Sequence, residues 1–248
     1  IRYQTRGLVL DSIEKKFLAI PPNSFKYFNT VRESDVRQNF EDKKYRIIKA
    51  NDGTNVTIYK FGGETYVSSS KSPDISNYYW QGDKTFSHML YDVAIRTNPE
   101  FVKKTSFTLN KDSGISWNIP EQYSVTLGFR HHNIHPDKDD PEKIWLVRCI
   151  NRETLLDEKL PALECLETNK DMTSEFNTFD ELLQQKDRDP IIDKSDNNYG
   201  YILQSLSPNI DSIFIPSSLY RLYQHFFYSL EKEKDEKLYS RLLPLLNS

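Results

Sequence analysis

The turn signal Asn51-Asp52-Gly53 constrains this chain most, because it stands between two runs of strand-type residues, Arg46–Lys49 and Asn55–Tyr59. An Asp-Gly step supplies the positive backbone angles that a tight antiparallel hairpin needs. A second turn, Gly62-Gly63, leads into Thr65–Ser69. Three strand segments joined by two short turns predict a β-meander rich in Val, Ile, Thr and Tyr.

The same alternation recurs on either side. Leu8 and Leu10 precede a turn near residues 11–15, and Phe17 and Ala19 follow it, so a strand pair is expected before Pro21-Pro22. Tyr123–Phe129 and Ile144–Ile150 read as strands separated by the polar, proline-marked stretch His131–Pro141, and Tyr199–Leu206 and Ser212–Ile215 as two more. Around Phe86–Ile95 the spacing of Phe86, Leu90, Val93 and Ala94 shifts to a helical period, and Thr178–Gln184 reads as a short capped helix. After Pro216, Ser217 or Ser218 is the expected N-cap of a tail whose residues Leu219, Leu222, Tyr223, Phe226, Phe227 and Leu230 share one face. A charge run at residues 231–237 interrupts that tail before Leu238–Leu246. The pattern predicts a largely antiparallel α+β domain with a C-terminal helical tail.

At 248 residues the chain is long enough for one large domain, or a main domain with a small appendage. No apolar run approaches the ~18 residues needed to cross a bilayer, so no membrane partner is expected. Cys149 and Cys165 are the only cysteines, too few for a disulfide framework, and a reduced intracellular setting is expected. The net charge of −3 excludes a generally basic nucleic-acid coat. Residues 1–50 nevertheless carry eleven Lys/Arg against six Asp/Glu, whereas residues 137–190 carry eight against fifteen. The basic segment either attracts phosphates or is plain solvated surface. His131, His132 and His135 lie within five residues, but no C-x-x-C or H-E-x-x-H spacing supports them, so turn-exposed histidines and no metal site are expected.

Five short motifs follow one another in an order that resembles the phage T4-type ATP-dependent RNA ligases, a branch of the covalent nucleotidyltransferases. They are Thr5-Arg6-Gly7-Leu8-Val9-Leu10, Phe17-Leu18-Ala19-Ile20-Pro21, Phe25-Lys26-Tyr27-Phe28-Asn29, Lys49-Ala50-Asn51-Asp52-Gly53-Thr54 and Ser68-Ser69-Ser70-Lys71-Ser72. The resemblance runs from Arg6 to about Tyr220. It implies two antiparallel sheets flanking a nucleotide pocket over residues 1–216 (an ATP-grasp-like ligase domain), with residues 217–248 as a helical extension packed on it. It also implies ATP as the nucleotide, RNA as a partner, and phosphate or nucleotide contacts by Arg6, Lys26 and Lys71. Arginine suits such a contact because its planar fork meets phosphate oxygens in pairs. Phe28 either stacks on a base or fills the core, and Lys71 either faces a ligand or is an exposed loop lysine.

The chain departs from the family pattern at the positions that carry chemistry. The reactive lysine of the resembled enzymes lies two residues before the Asp-Gly pair, and here that residue is Ala50. Lys49 is adjacent, but neighbouring side chains on a strand point to opposite faces, so only a local bulge would make it a displaced nucleophile beside Asp52. Where the family has Phe-Glu, the chain has Phe129-Arg130; where it has Glu-Gly-Tyr-Val, the chain has Tyr199-Gly200-Tyr201-Ile202; where it has two strand lysines, the chain has Ile213-Phe214-Ile215-Pro216. Losing two carboxylates removes the oxygen ligands a Mg²⁺ ion needs. Arg130 then either meets a phosphate directly, together with Arg6 and Lys26, or pairs internally with Asp52 or a nearby Glu. Three functions follow: a catalytically degenerate ligase-like domain that binds nucleotide or RNA ends within an RNA-processing or viral assembly; an active ATP-dependent RNA ligase that uses Lys49; or a protein-interaction module with a filled pocket.

Overall fold

The computed structural model describes residues 6–79, 83–110, 114–134, 141–188, 199–207, 209–218 and 220–221. In chain order these form β1 (Val9–Leu10), β2 (Phe17–Ala19), β3 (Phe25–Tyr27), α1 (Glu33–Glu41), β4 (Tyr45–Lys49), β5 (Thr54–Phe61) and β6 (Glu64–Ser68). There follow α2 (Phe86–Thr97), α3 (Pro99–Thr105), β7 (Thr108–Asn110), β8 (Gly114–Ser116), β9 (Tyr123–Arg130) and β10 (Lys143–Asn151). Last come β11 (Glu167–Thr168), α4 (Phe179–Arg188), β12 (Gly200–Ser205) and β13 (Ser212–Pro216). The α+β class is as expected. Among the described residues no helix is long and apolar enough to cross a membrane.

The chain gathers into two compact units, one of residues 1–25 and 51–170 and the other of residues 26–50 and 171–248. This partition falls inside the expected 1–216 domain. Of the expected extension, Ser217 does cap a first helical turn, accepting from Tyr220 N–H through its hydroxyl at 3.1 Å. The remaining tail positions, Leu219 and Leu222 onward, lie outside the described residues, as does His135.

The first unit is built on a five-stranded sheet in the order β11-β10-β9-β5-β6, antiparallel except for the β10–β11 pair. One face carries Val56, Ile58, Val125, Leu127 and Phe129, packed with Met89, Leu90 and Val93 of α2 and Phe101 of α3. Burying each such side chain is worth roughly 1.5–3 kcal/mol, which fixes the register because a one-residue slip would turn the set outward. Thr85 caps α2 by accepting from His88 N–H at 3.3 Å. The opposite face of the sheet includes a buried polar set. There the Thr57 and Thr126 hydroxyls lie 2.8 Å apart, Ser68 donates to the Thr57 carbonyl, and Ser124 accepts from Ile20 N–H. The expected strand pair β1–β2 forms, with Val9 opposite Ala19.

The second unit contains a four-stranded sheet in the order β3-β13-β12-β4. Tyr45, Ile47, Tyr201, Leu203, Ile213 and Ile215 face Val36 and Phe40 of α1 and Phe179 and Leu182 of α4.

One expectation fails here. The segments on either side of Asn51-Asp52-Gly53 do not pair as a hairpin, because β4 pairs with β12 and β5 pairs with β9 and β6. The meander therefore reduces to β5–β6, joined at Gly62-Gly63. β4 and β5 belong to different sheets, so the Asp-Gly step links two sheets rather than closing a hairpin.

Candidate functional site

Lys49 and Ala50 end β4. The ladder with β12 is regular from Tyr45↔Ser205 to Lys49↔Tyr201, and Ala50 N–H continues it by donating to the Gly200 carbonyl at 2.9 Å. Strand alternation puts Lys49 on the face of Tyr45 and Ile47, and Ala50, buried, on the face of Ile48. No bulge breaks that register, so Lys49 does not take over the direction of Ala50. Across the ladder, Gly200 holds a positive φ of 118°, and a side chain there would overlap the Ile215 carbonyl. Tyr199, where the resembled enzymes carry a glutamate, meets Tyr220 edge-on with ring centres 5.5 Å apart.

Asp52 and Arg130 come together in the first unit. Arg130 is buried, and its Nε and Nη2 donate to the Asp52 backbone carbonyl at 3.3 and 3.1 Å, with Nη1 donating to the Pro141 carbonyl at 3.4 Å. The guanidinium thus ties the turn after β4 to the start of β10. Gly53 has to be glycine: a Cβ would lie 2.6 Å from the Phe129 carbonyl oxygen and from Trp145 Cη2. The Trp145 indole, buried, also lies directly over Gly128 in the middle of β9. The sequence reading passed over Trp145, although a glycine inside a strand is the signal for such a close approach.

Arg6 and Lys71 are brought to one corner of the first unit. Gly7, at φ 81°, approaches the backbone of Ser69 and Ser70 so closely that a Cβ would lie 3.1 Å from both, and the flanking Arg6 and Lys71 are exposed. Lys26, Phe28 and Lys49 belong to the second unit. Lys26 is ion-paired with Asp211 at 2.7 Å. Phe28 is partly buried, its ring centre 5.6 Å from that of Phe179.

Of the histidines, His131 is buried rather than turn-exposed, correcting that expectation, and its Nδ1 accepts from Asn133 N–H at 3.0 Å. Burial pushes its pKa below the ordinary value and favours the neutral ring. Among the described residues no group of three or more His, Cys, Asp or Glu is arranged to hold a metal ion.

The chain is similar to proteins named "Putative RNA-ligase" from African swine fever virus. It is 27% identical to that of the Tick/Malawi isolate over 273 aligned positions, covering 97% of this chain and 58% of the relative. It is 34% identical to that of the Pretoriuskop isolate over 158 positions, covering 60% of this chain and 34% of the relative. The chain therefore spans between about a third and three-fifths of the length of these relatives. No protein-family model matches it. Among solved structures it is similar to variants of Naegleria gruberi RNA ligase, one with AMP and Mn at a TM-score of 0.47 and 13% identity, covering 93% of this chain and 61% of that one. Another, with ATP and Mn, aligns at a TM-score of 0.48 and 14% identity over the same shares. The resemblance to RNA ligases drawn from the motifs agrees with the viral relatives.

Proposed function

We propose that this chain is an RNA-ligase-like domain that holds a nucleotide or an RNA end without forming a covalent lysyl-adenylate. The supporting observation is the end of β4, where Ala50 offers a methyl group and the unbroken ladder turns Lys49 to the other face. Nucleotidyl transfer needs an amine of lowered pKa aimed at the α-phosphate, and a methyl group cannot attack. The two positions where the resembled enzymes carry carboxylates hold a guanidinium, Arg130, and a phenol, Tyr199. Neither is an anionic oxygen donor, so these residues do not fit a Mg²⁺ ion.

What the chain retains is attraction for phosphates. Arg6 and Lys71 present two exposed cations at one corner, and ATP or the 5′-phosphate of an RNA is the ligand they suit. Such a domain would serve as a recognition or scaffolding part of an RNA-processing or viral assembly inside the cell. A second reading, a module whose pocket is filled, draws support from Trp145 lying over Gly128 and from the Arg130 donors facing backbone carbonyls. Calorimetric titration with ATP and with a 5′-phosphorylated oligonucleotide, with and without EDTA, separates the two. The proposal predicts binding that survives the chelator and weakens in Arg6→Ala. Absence of binding to either ligand supports the filled module. Incubation with α-labelled ATP addresses the remaining alternative, since a labelled band that disappears in Lys49→Ala would restore an active ligase.

A further inference from the structure

The turn that follows β9 begins with a buried histidine whose two ring nitrogens face different groups. His131 Nδ1 accepts from Asn133 N–H at 3.0 Å, so the neutral ring carries its proton on Nε2. That nitrogen lies 3.8 Å from Glu142 Oε1, and the side chains of His131 and Glu142 are only 5% and 9% exposed. Glu142 is itself fixed in place. Its Oε1 accepts from His132 N–H at 3.3 Å, and its Oε2 accepts from Arg96 Nε and Nη2 at 2.8 and 2.6 Å. The turn closes where Ile134 N–H donates to the His131 carbonyl at 3.0 Å.

Nearby charges of both signs act on this ring. Glu142 and, from α2, Asp92 favour its protonated form, whereas Arg96 of α2 and Lys84, itself ion-paired with Asp92, oppose it. His132, with a side chain 49% exposed, places its Nε2 3.8 Å from the same Glu142 Oε1. Burial is the largest influence, and it holds the His131 pKa below the ordinary 6.5. Acid then has one specific consequence. An imidazolium has no acceptor nitrogen in any ring orientation, so Asn133 N–H loses its partner when His131 gains a proton. The turn starts one residue after Arg130, whose donors hold the Asp52 and Pro141 carbonyls, so the step occurs beside the segment that leads into β5.

We propose that His131 is an acid-sensitive latch: neutral, it pins the turn after β9 through the Asn133 amide, and protonated, it releases that turn. The test is NMR on the full chain, following the His131 ring and the hydrogen-exchange protection of the Asn133 amide from about pH 8 downward. The latch predicts that both change with one shared midpoint below 6.5. Across that midpoint Asn133 should lose roughly fivefold in protection, the size of one neutral hydrogen bond. His131→Gln, which keeps an acceptor that does not titrate, should show no such step, and His132→Gln should keep it. Unchanged protection at Asn133 while the His131 ring titrates overturns the latch. So does a step that persists in His131→Gln, or one that disappears in His132→Gln. A His131 ring that stays neutral until the chain unfolds in acid overturns it as well. Where His131→Gln does not fold, the shared midpoint in the parent chain decides alone.

Discussion

Arg130 shows how one side chain can answer a functional question through stability. Its donors serve the carbonyls of Asp52 and Pro141 in a buried position, so truncation leaves those acceptors without a charged donor. We predict that Arg130→Met lowers unfolding stability by about 2–3 kcal/mol in chemical denaturation. A residue kept only for a ligand would change it by less than about 0.5 kcal/mol. Asp171 gives a pH signature. The Thr173 hydroxyl and amide donate to its Oδ1 at 2.6 and 2.9 Å, and Arg46 Nε donates to Oδ2 at 2.6 Å. These contacts, Thr173 foremost, hold the carboxyl at about 2 against an ordinary 3.8. A depressed folded-state pKa stabilises the fold above pH 3.8, and that contribution is lost as pH falls through about 2. Carboxyl carbon NMR should place the Asp171 midpoint near 2, and Thr173→Val should move it upward.

At the scale of elements, local chemistry and tertiary pairing were unequally legible. The α4 start was readable: Thr178 Oγ1 accepts from Glu181 N–H at 3.2 Å and Glu181 Oε2 accepts from Thr178 N–H at 3.3 Å. This reciprocal cap predicts that Thr178→Ala costs about 1 kcal/mol in a thermal melt. The start of α3 was equally available in Asn98-Pro99-Glu100, a cap followed by a proline at the first helical position, and it was overlooked. By contrast α1 buries only Val36 and Phe40 among charged residues, which is too thin a stripe for periodicity to detect. The supposed hairpin at Asn51-Asp52-Gly53 was misread for a different reason. A turn signal states that the chain bends; it does not state which strand lies beside the bend. Only packing decides that, and Ile47 and Ile48 find Leu203 and Ile202 instead of the adjacent strand.

For the whole molecule, the order of motifs conveyed the α+β class and the likeness to RNA ligases, while the division into two interleaved units was hidden in long-range pairings such as Lys49↔Tyr201. The candidate site was legible to the same extent. Ala50, Arg130 and Tyr199 could be located by motif, but not the carbonyls that engage Arg130 or the indole over Gly128. Those depend on side chains meeting across sequence gaps that no local pattern encodes. The central claim, that a ligase-like domain has lost its covalent step, is tested most directly by the intact mass of the chain after incubation with ATP and Mg²⁺. The account predicts an unmodified mass. A stable increment of one AMP that maps to Lys49 and vanishes in Lys49→Ala would contradict it.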